Sequence, residues 1–281
     1  MNYTEFKDAF VDSFQDYLPA QYQDWEVRLL ETVKVNGCYD TVVVMPPDGM
    51  GGSPNLYVEE LFEYYVRCKD FQKVCRKAAS IFVMGMDYIS KLGAVPIVDL
   101  PEDRIIFSLI PQEDNERLLA DTPHRLTMDL AVIYRVLLDA EDGGFDSTMI
   151  TNDIAEAWKL TEERLYELAL ENTPEILPLE VIEQDGVFSI LTNERHTLGA
   201  ASMLYPGALK DVADKIETDL FILPASMHEV FVVPDMGQDV LDMHRIVADA
   251  NMYLSHREEY LADHAYYYHK ETDQVCIPKW E

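Results

Sequence analysis

Residues 187–235, VFSILTNERHTLGAASMLYPGALKDVADKIETDLFILPASMHEVFVVPD, are the stretch whose reading decides the fold. Residues 187–192, then DLFILPAS and HEVFVVPD, are short runs rich in Val, Ile, Leu and Phe, the residue types and lengths that build strands. Between them a helix is expected from about Thr197. It cannot run through Tyr205-Pro206-Gly207, because a proline removes a backbone donor and its ring clashes with the preceding turn, so two short helices or a sharp kink are expected. Leu209, Val212, Ala213 and Ile216 recur at helical spacing and give the second piece an apolar face. The last two strands meet around Pro224 to Met227, a joint too short for a crossover, so they are antiparallel neighbours. Strands and helices joined this closely predict an α+β fold, with mixed, mainly antiparallel sheets and helices packed on them.

The same reading extends in both directions. Downstream, VLDMHRIVADANMYL is a helix with Met243, Val247, Ala250 and Leu254 inward, and HAYYYHK and QVCIPKW form a closing hairpin. Upstream, 127–151 reads as a long strand with Val132, Tyr134, Val136 and Leu138 on one face, a Gly-Gly turn, and a second strand, with a helix the main competitor over 127–138. Two helices follow. In the second, Thr161 caps, Glu162 and Glu163 sit in the positive first turn, and Pro174 and Pro178 are expected to close the segment. Asn152 and Asn193 share a strand, Thr-Asn, acid pattern that suits a capping role. RIIFSLI is a strand preceded by an extended connection at 94–103 and followed by a short helix. A soft boundary near 120–125 divides the chain into two loosely separated halves, an N-terminal α+β domain (1–122) and a C-terminal one (123–281). In the first, Phe6, Phe10, Phe14 and Tyr17 stripe an amphipathic helix. WEVRLLETVKV and CYDTVVVMP flank Asn36-Gly37, the dipeptide that best accepts a tight hairpin turn. Gly49, Gly51 and Gly52 read as a plain connecting loop, because no Lys-Ser/Thr follows and Asp48 would repel a phosphate.

Charge bounds the partners. Fifty-two acidic residues against 22 basic ones give a formal charge of −30. Such a chain repels nucleic acid, and its one basic patch is Arg67, Lys69, Lys73, Arg76 and Lys77. No apolar run reaches the length of a membrane span, and the acidic amphipathic start is unlike a secretion signal, so a cytoplasmic protein without membrane association is expected. Cys38, Cys68, Cys75 and Cys276 lack framework spacing and read as reduced thiols.

Chemistry would sit where polar residues converge. If the strand ending at Asn193 neighbours the one starting at His228, then Asn193, His196, Tyr205, His228 and Glu229 line one cleft. No HExxH, paired CxxC, G-x-S-x-G, Walker loop or G-x-G-x-x-G accompanies them, so no metal and no cofactor are expected, and structural histidines account for the pattern equally well.

The runs DLAVIY, ITND with Trp158 beyond it, ELALENTP, LTNE, GAASMLYPG and LPASMHEVFVVPD resemble a group of uncharacterised bacterial proteins sharing a domain of unknown function. The resemblance covers much of the chain, is densest from Asp129 to Asp235, and brings no activity and no site residues with it. The sequence therefore favours an acidic interaction or regulatory module without catalysis, whose unidentified protein partner is basic. A hydrolase or metal-dependent enzyme using Asn193, His196 and His228 is the alternative, and a DNA-mimicking inhibitor a third.

Overall fold

Phe6, Phe10 and Phe14 are wholly buried, which is why the chain opens with a helix, α1 (Tyr3–Phe14), laid on its aromatic stripe. A reciprocal capping box fixes its start: Asn2 accepts from the Glu5 amide and Glu5 accepts from the Asn2 amide. The computed structural model describes residues 1–48, 52–92, 102–138, 145–184, 186–254 and 257–279. Gly49 and Gly51, most of the 94–103 connection and the Gly143-Gly144 turn lie outside the described residues. The chain forms two compact units.

The first unit holds residues 1–34 and 38–92 of the described chain. After α1 come β1 (Glu26–Lys34), β2 (Gly37–Met45) and β3 (Leu56–Tyr57), a sheet in that order, then α2 (Val58–Cys68) and the 22-residue α3 (Phe71–Leu92). Val42, Val44, Leu56, Val74, Ala78 and Phe82 close over the phenylalanine stripe.

The second unit takes in the described residues beyond 101 together with Val35–Gly37. Asn36 has the expected left-handed backbone (φ 62°) and does more than turn the hairpin. It is fully buried; its Nδ2 donates to the carbonyls of Arg257 and Tyr260 (2.9 and 2.8 Å), and it exchanges hydrogen bonds with Asn115. The unit's first sheet contains β4 (Ile105–Pro111), β5 (His124–Thr127), β6 (Leu130–Leu138) and β7 (Asp146–Met149), with β6 in the middle. β4 pairs along its whole length with β6, so the expected 122/123 boundary falls inside one continuous sheet. α4 (Glu116–Ala120), α5 (Asn152–Trp158) and α6 (Glu162–Ile176) accompany it. Two local expectations are corrected. Thr151, not Asn152, caps α5, its hydroxyl accepting from the Ile154 amide. Pro174 lies inside α6, in its last turn, and the helix runs on to Ile176 before Pro178; Thr173 Oγ1 accepts from the Phe107 amide of β4 at 3.1 Å.

The second sheet has six strands, all antiparallel, in the order β13-β12-β10-β11-β9-β8. They are β8 (Leu179–Gln184), β9 (Phe188–Asn193), β10 (Leu220–Ser226), β11 (Glu229–Pro234), β12 (Tyr266–His269) and β13 (Gln274–Cys276). β10 is apolar without alternation because both its faces are covered. Leu220 and Ile222 enter the main core, while Phe221 and Leu223 meet Met243 and Val247 of α8 (Val240–Asn251). The expected break at Tyr205-Pro206-Gly207 is present: a 3-10 helix, Gly199–Leu204, precedes it and α7 (Ala208–Ile216) follows. The fold is α+β with antiparallel sheets, as the sequence predicted. No helix among the described residues is long and apolar enough to cross a membrane.

Candidate functional site

β9 and β11 are neighbours, with Leu191 opposite Val230, so the condition for a convergence of Asn193 and His228 is met. The polar atoms there are engaged in holding the chain. Asn193 is wholly buried; its Nδ2 donates to the Thr197 carbonyl at 2.7 Å and its Oδ1 accepts from the Arg195 amide at 3.0 Å. His228 Nδ1 accepts from the Leu198 amide at 3.1 Å, and its carbonyl accepts from the Thr192 hydroxyl at 2.8 Å. An accepting Nδ1 places the imidazole proton on Nε2, and burial holds the His228 pKa below its ordinary value against the opposing pull of Glu259 and Glu229. The buried Tyr205 hydroxyl donates to the Leu177 carbonyl at 3.0 Å, and burial pushes its pKa up. His196 is turned out by a left-handed backbone (φ 50°), with Nε2 3.4 Å from Glu180 in solvent. Glu229 starts β11 opposite Ser226.

Gly199 shows how tight this corner is. A Cβ there would overlap Thr192 Oγ1 and the His228 carbonyl, so the Gly-Ala-Ala-Ser run is what lets the 3-10 helix lie against the strand ends. Tyr205 borders a cavity of about 410 Å³ with Pro206, Lys210 and Tyr268, but its hydroxyl is bonded inward.

The opposite ends of the same strands are open. Between α7 and the β8–β9–β11 face lies a groove of about 440 Å³ lined by Leu179, Val181, Phe188, Val212, Ile216 and Val232. Glu183, Ser189 and Val232 stand side by side across the three strands and form its floor toward the rim. Val181 and Ile216 are 39% and 38% exposed, apolar side chains left uncovered. The polar groups at the rim are Glu183, Asp211 and Lys215, and Lys215 pairs with Glu183 across the opening. Both partners are more than half exposed, so solvent screens the pair and it opens at little cost. Among the described residues β8 carries no strand on its outer side.

The family model of DUF5688, a family of unknown function, matches residues 3–189 and 180–270. The chain belongs to that family. No curated protein and no solved structure matches this DUF5688 chain. In this DUF5688 member the LTNE, GAASM and HEV runs build a hydrogen-bonded corner. The groove residues of this DUF5688 member escaped sequence reading, because Leu179 and Val181 follow a proline taken as a stop, and Val212 and Ile216 read as ordinary core. Sequence reading also passed over a second polar cluster. Glu162 accepts from Tyr134 and from both arms of Arg125, whose guanidinium stacks 3.9 Å over Tyr166. With these donors the carboxylate acts as a brace between α6 and the first sheet of the unit.

Proposed function

We propose that the protein is an acidic interaction module in which the groove and the outer edge of β8 take an extended segment of a partner protein that alternates apolar with basic residues. The observation that carries this reading is the coincidence of an apolar groove with an unpaired strand edge. An added strand gains main-chain hydrogen bonds from the edge, and every second side chain enters the groove, which supplies selectivity. Glu183 and Asp211 at the opening favour Lys or Arg in the alternate positions, and the net charge of −30 speeds encounter with a basic partner. Charged residues also protect edges against self-pairing, and here Glu180 and Glu183 do both: they repel another acidic copy and attract a basic chain. The hydrolase alternative around Asn193, His196 and His228 has weaker support, since the Asn193 amide and His228 Nδ1 already have backbone partners.

The test is fluorescence anisotropy with a labelled octapeptide alternating Lys and Val. Saturable binding that weakens with salt is expected, absent for the Glu-Val peptide and lost in Val181→Arg, a change on the exposed side of β8. No binding to the wild-type protein, or binding undiminished in the variant, would overturn the proposal.

A further inference from the structure

The basic patch noted in the sequence is a compact surface on the first unit. Arg67 and Lys69 end α2, and Lys73, Arg76 and Lys77 occupy the first two turns of α3, all exposed. In a chain with 52 carboxylates none of the five makes an ion pair among the described residues. Three ammonium groups instead lie against tyrosine faces: Lys77 Nζ is 4.1 Å and Lys73 Nζ 6.0 Å from the Tyr64 ring centre, and Lys69 Nζ is 5.9 Å from that of Tyr65. The rings fix where the cations stand without neutralising them. Lys73 also sits at the positive end of the α3 dipole, where a cation is unfavourable unless an anion joins it. Asp70 accepts from the Lys73 amide at 2.9 Å and supplies one negative charge there, against the five cations of the patch. The stripe then continues along α3: Lys73, Lys77, Ile81 and Met84 follow at spacings of four, four and three residues, which keeps them on one face. Ile81 and Met84 are 41% and 68% exposed.

We propose that this face docks an acidic amphipathic helix of a partner protein, its carboxylates on Lys73, Arg76 and Lys77 and its apolar residues on Ile81 and Met84. Charge complementarity selects the partner's sign, and the run from cations to apolar side chains along one helix selects its form. Asp70 is the acid nearest the patch, and charges farther away than a Debye length of roughly 8 Å are screened from a docked helix. An anionic membrane is disfavoured by the net charge of −30. The inference does not rest on the β8 groove.

A labelled peptide of about 18 residues, long enough to be helical, with Glu on one face and Leu and Ala on the other, serves as the probe, beside its Lys-for-Glu counterpart and phosphatidylserine vesicles. The acidic peptide is expected to bind in a salt-sensitive manner, at least about tenfold more weakly to Lys73→Glu/Lys77→Glu. Thermal midpoints check the fold of that variant, and Lys73→Ala/Lys77→Ala replaces it if the midpoint falls. Absence of peptide binding, equal binding by the variants, or binding to vesicles without binding to the peptide would overturn the inference.

Discussion

β9 and β11 end in two different ways. At one end Asn193, Thr192 and His228 knit strand ends, turn and 3-10 helix together with half-buried hydrogen bonds. At the other end Ser189 and Val232 border an apolar groove in which Val181 and Ile216 are left uncovered. The polar end draws attention in the sequence and has its polar atoms bonded within the chain; the bland end is the one with apolar side chains uncovered. A buried polar group pairs with whatever backbone is nearest, so a cluster of Asn, His and Tyr at chain reversals is more informative about the fold than about chemistry. Uncovered apolar surface beside an open strand edge has no such internal outlet.

Substitutions at the two ends should therefore separate stability from binding. The largest effect is expected at Gly199→Val, whose side chain would drive into Thr192 and the His228 carbonyl. A loss of about 3 kcal/mol or more is predicted by urea denaturation, and a loss below about 1 kcal/mol would mean the corner is loose. Thr192→Val keeps the shape and removes the donor to the His228 carbonyl; about 1–2 kcal/mol should be lost. The pH response comes next. His228 is held neutral in the folded chain by burial, while in the unfolded chain its pKa is about 6.5, so the folded state binds fewer protons. This contribution is complete above the unfolded value and is lost as pH falls below it toward the lowered folded value. Thermal midpoints should therefore drop between about pH 7 and 5, and drop less in His228→Asn, which keeps an acceptor near the Nδ1 position but does not titrate. His244, whose Nδ1 accepts from the Ala265 amide and whose pKa is likewise lowered by burial, leaves a residual drop of the same sign. The smallest effect belongs to the groove: Val181→Arg should change stability by under about 0.5 kcal/mol while abolishing capture of the Lys-Val peptide.

Much of the fold was legible because its signals are local. The phenylalanine stripe, the Asn36-Gly37 turn, the break at Pro206 and the β10–β11 hairpin each rest on residues close together in the chain. β8 was missed because Pro178 reads as a stop, and nothing local reveals that Val181 finds Leu191 as its partner. β5 was missed for the same kind of reason, since His124–Thr127 makes sense as a strand only beside β6. The partner of Asn36, Asn115, lies 79 residues away, which no turn rule could supply. The groove is less legible still. It is assembled from β8, β9, α7 and β11, and its residues are individually indistinguishable from core until the packing shows that nothing covers them.

The claim that β8 is the docking edge is tested most directly by hydrogen exchange at residues 179–184 with and without the Lys-Val peptide. Strand addition predicts slowed exchange there and along the facing side of α7, with the Asn193–His228 corner unchanged. Unchanged exchange at 179–184 when the peptide is bound would contradict it and place the binding surface elsewhere.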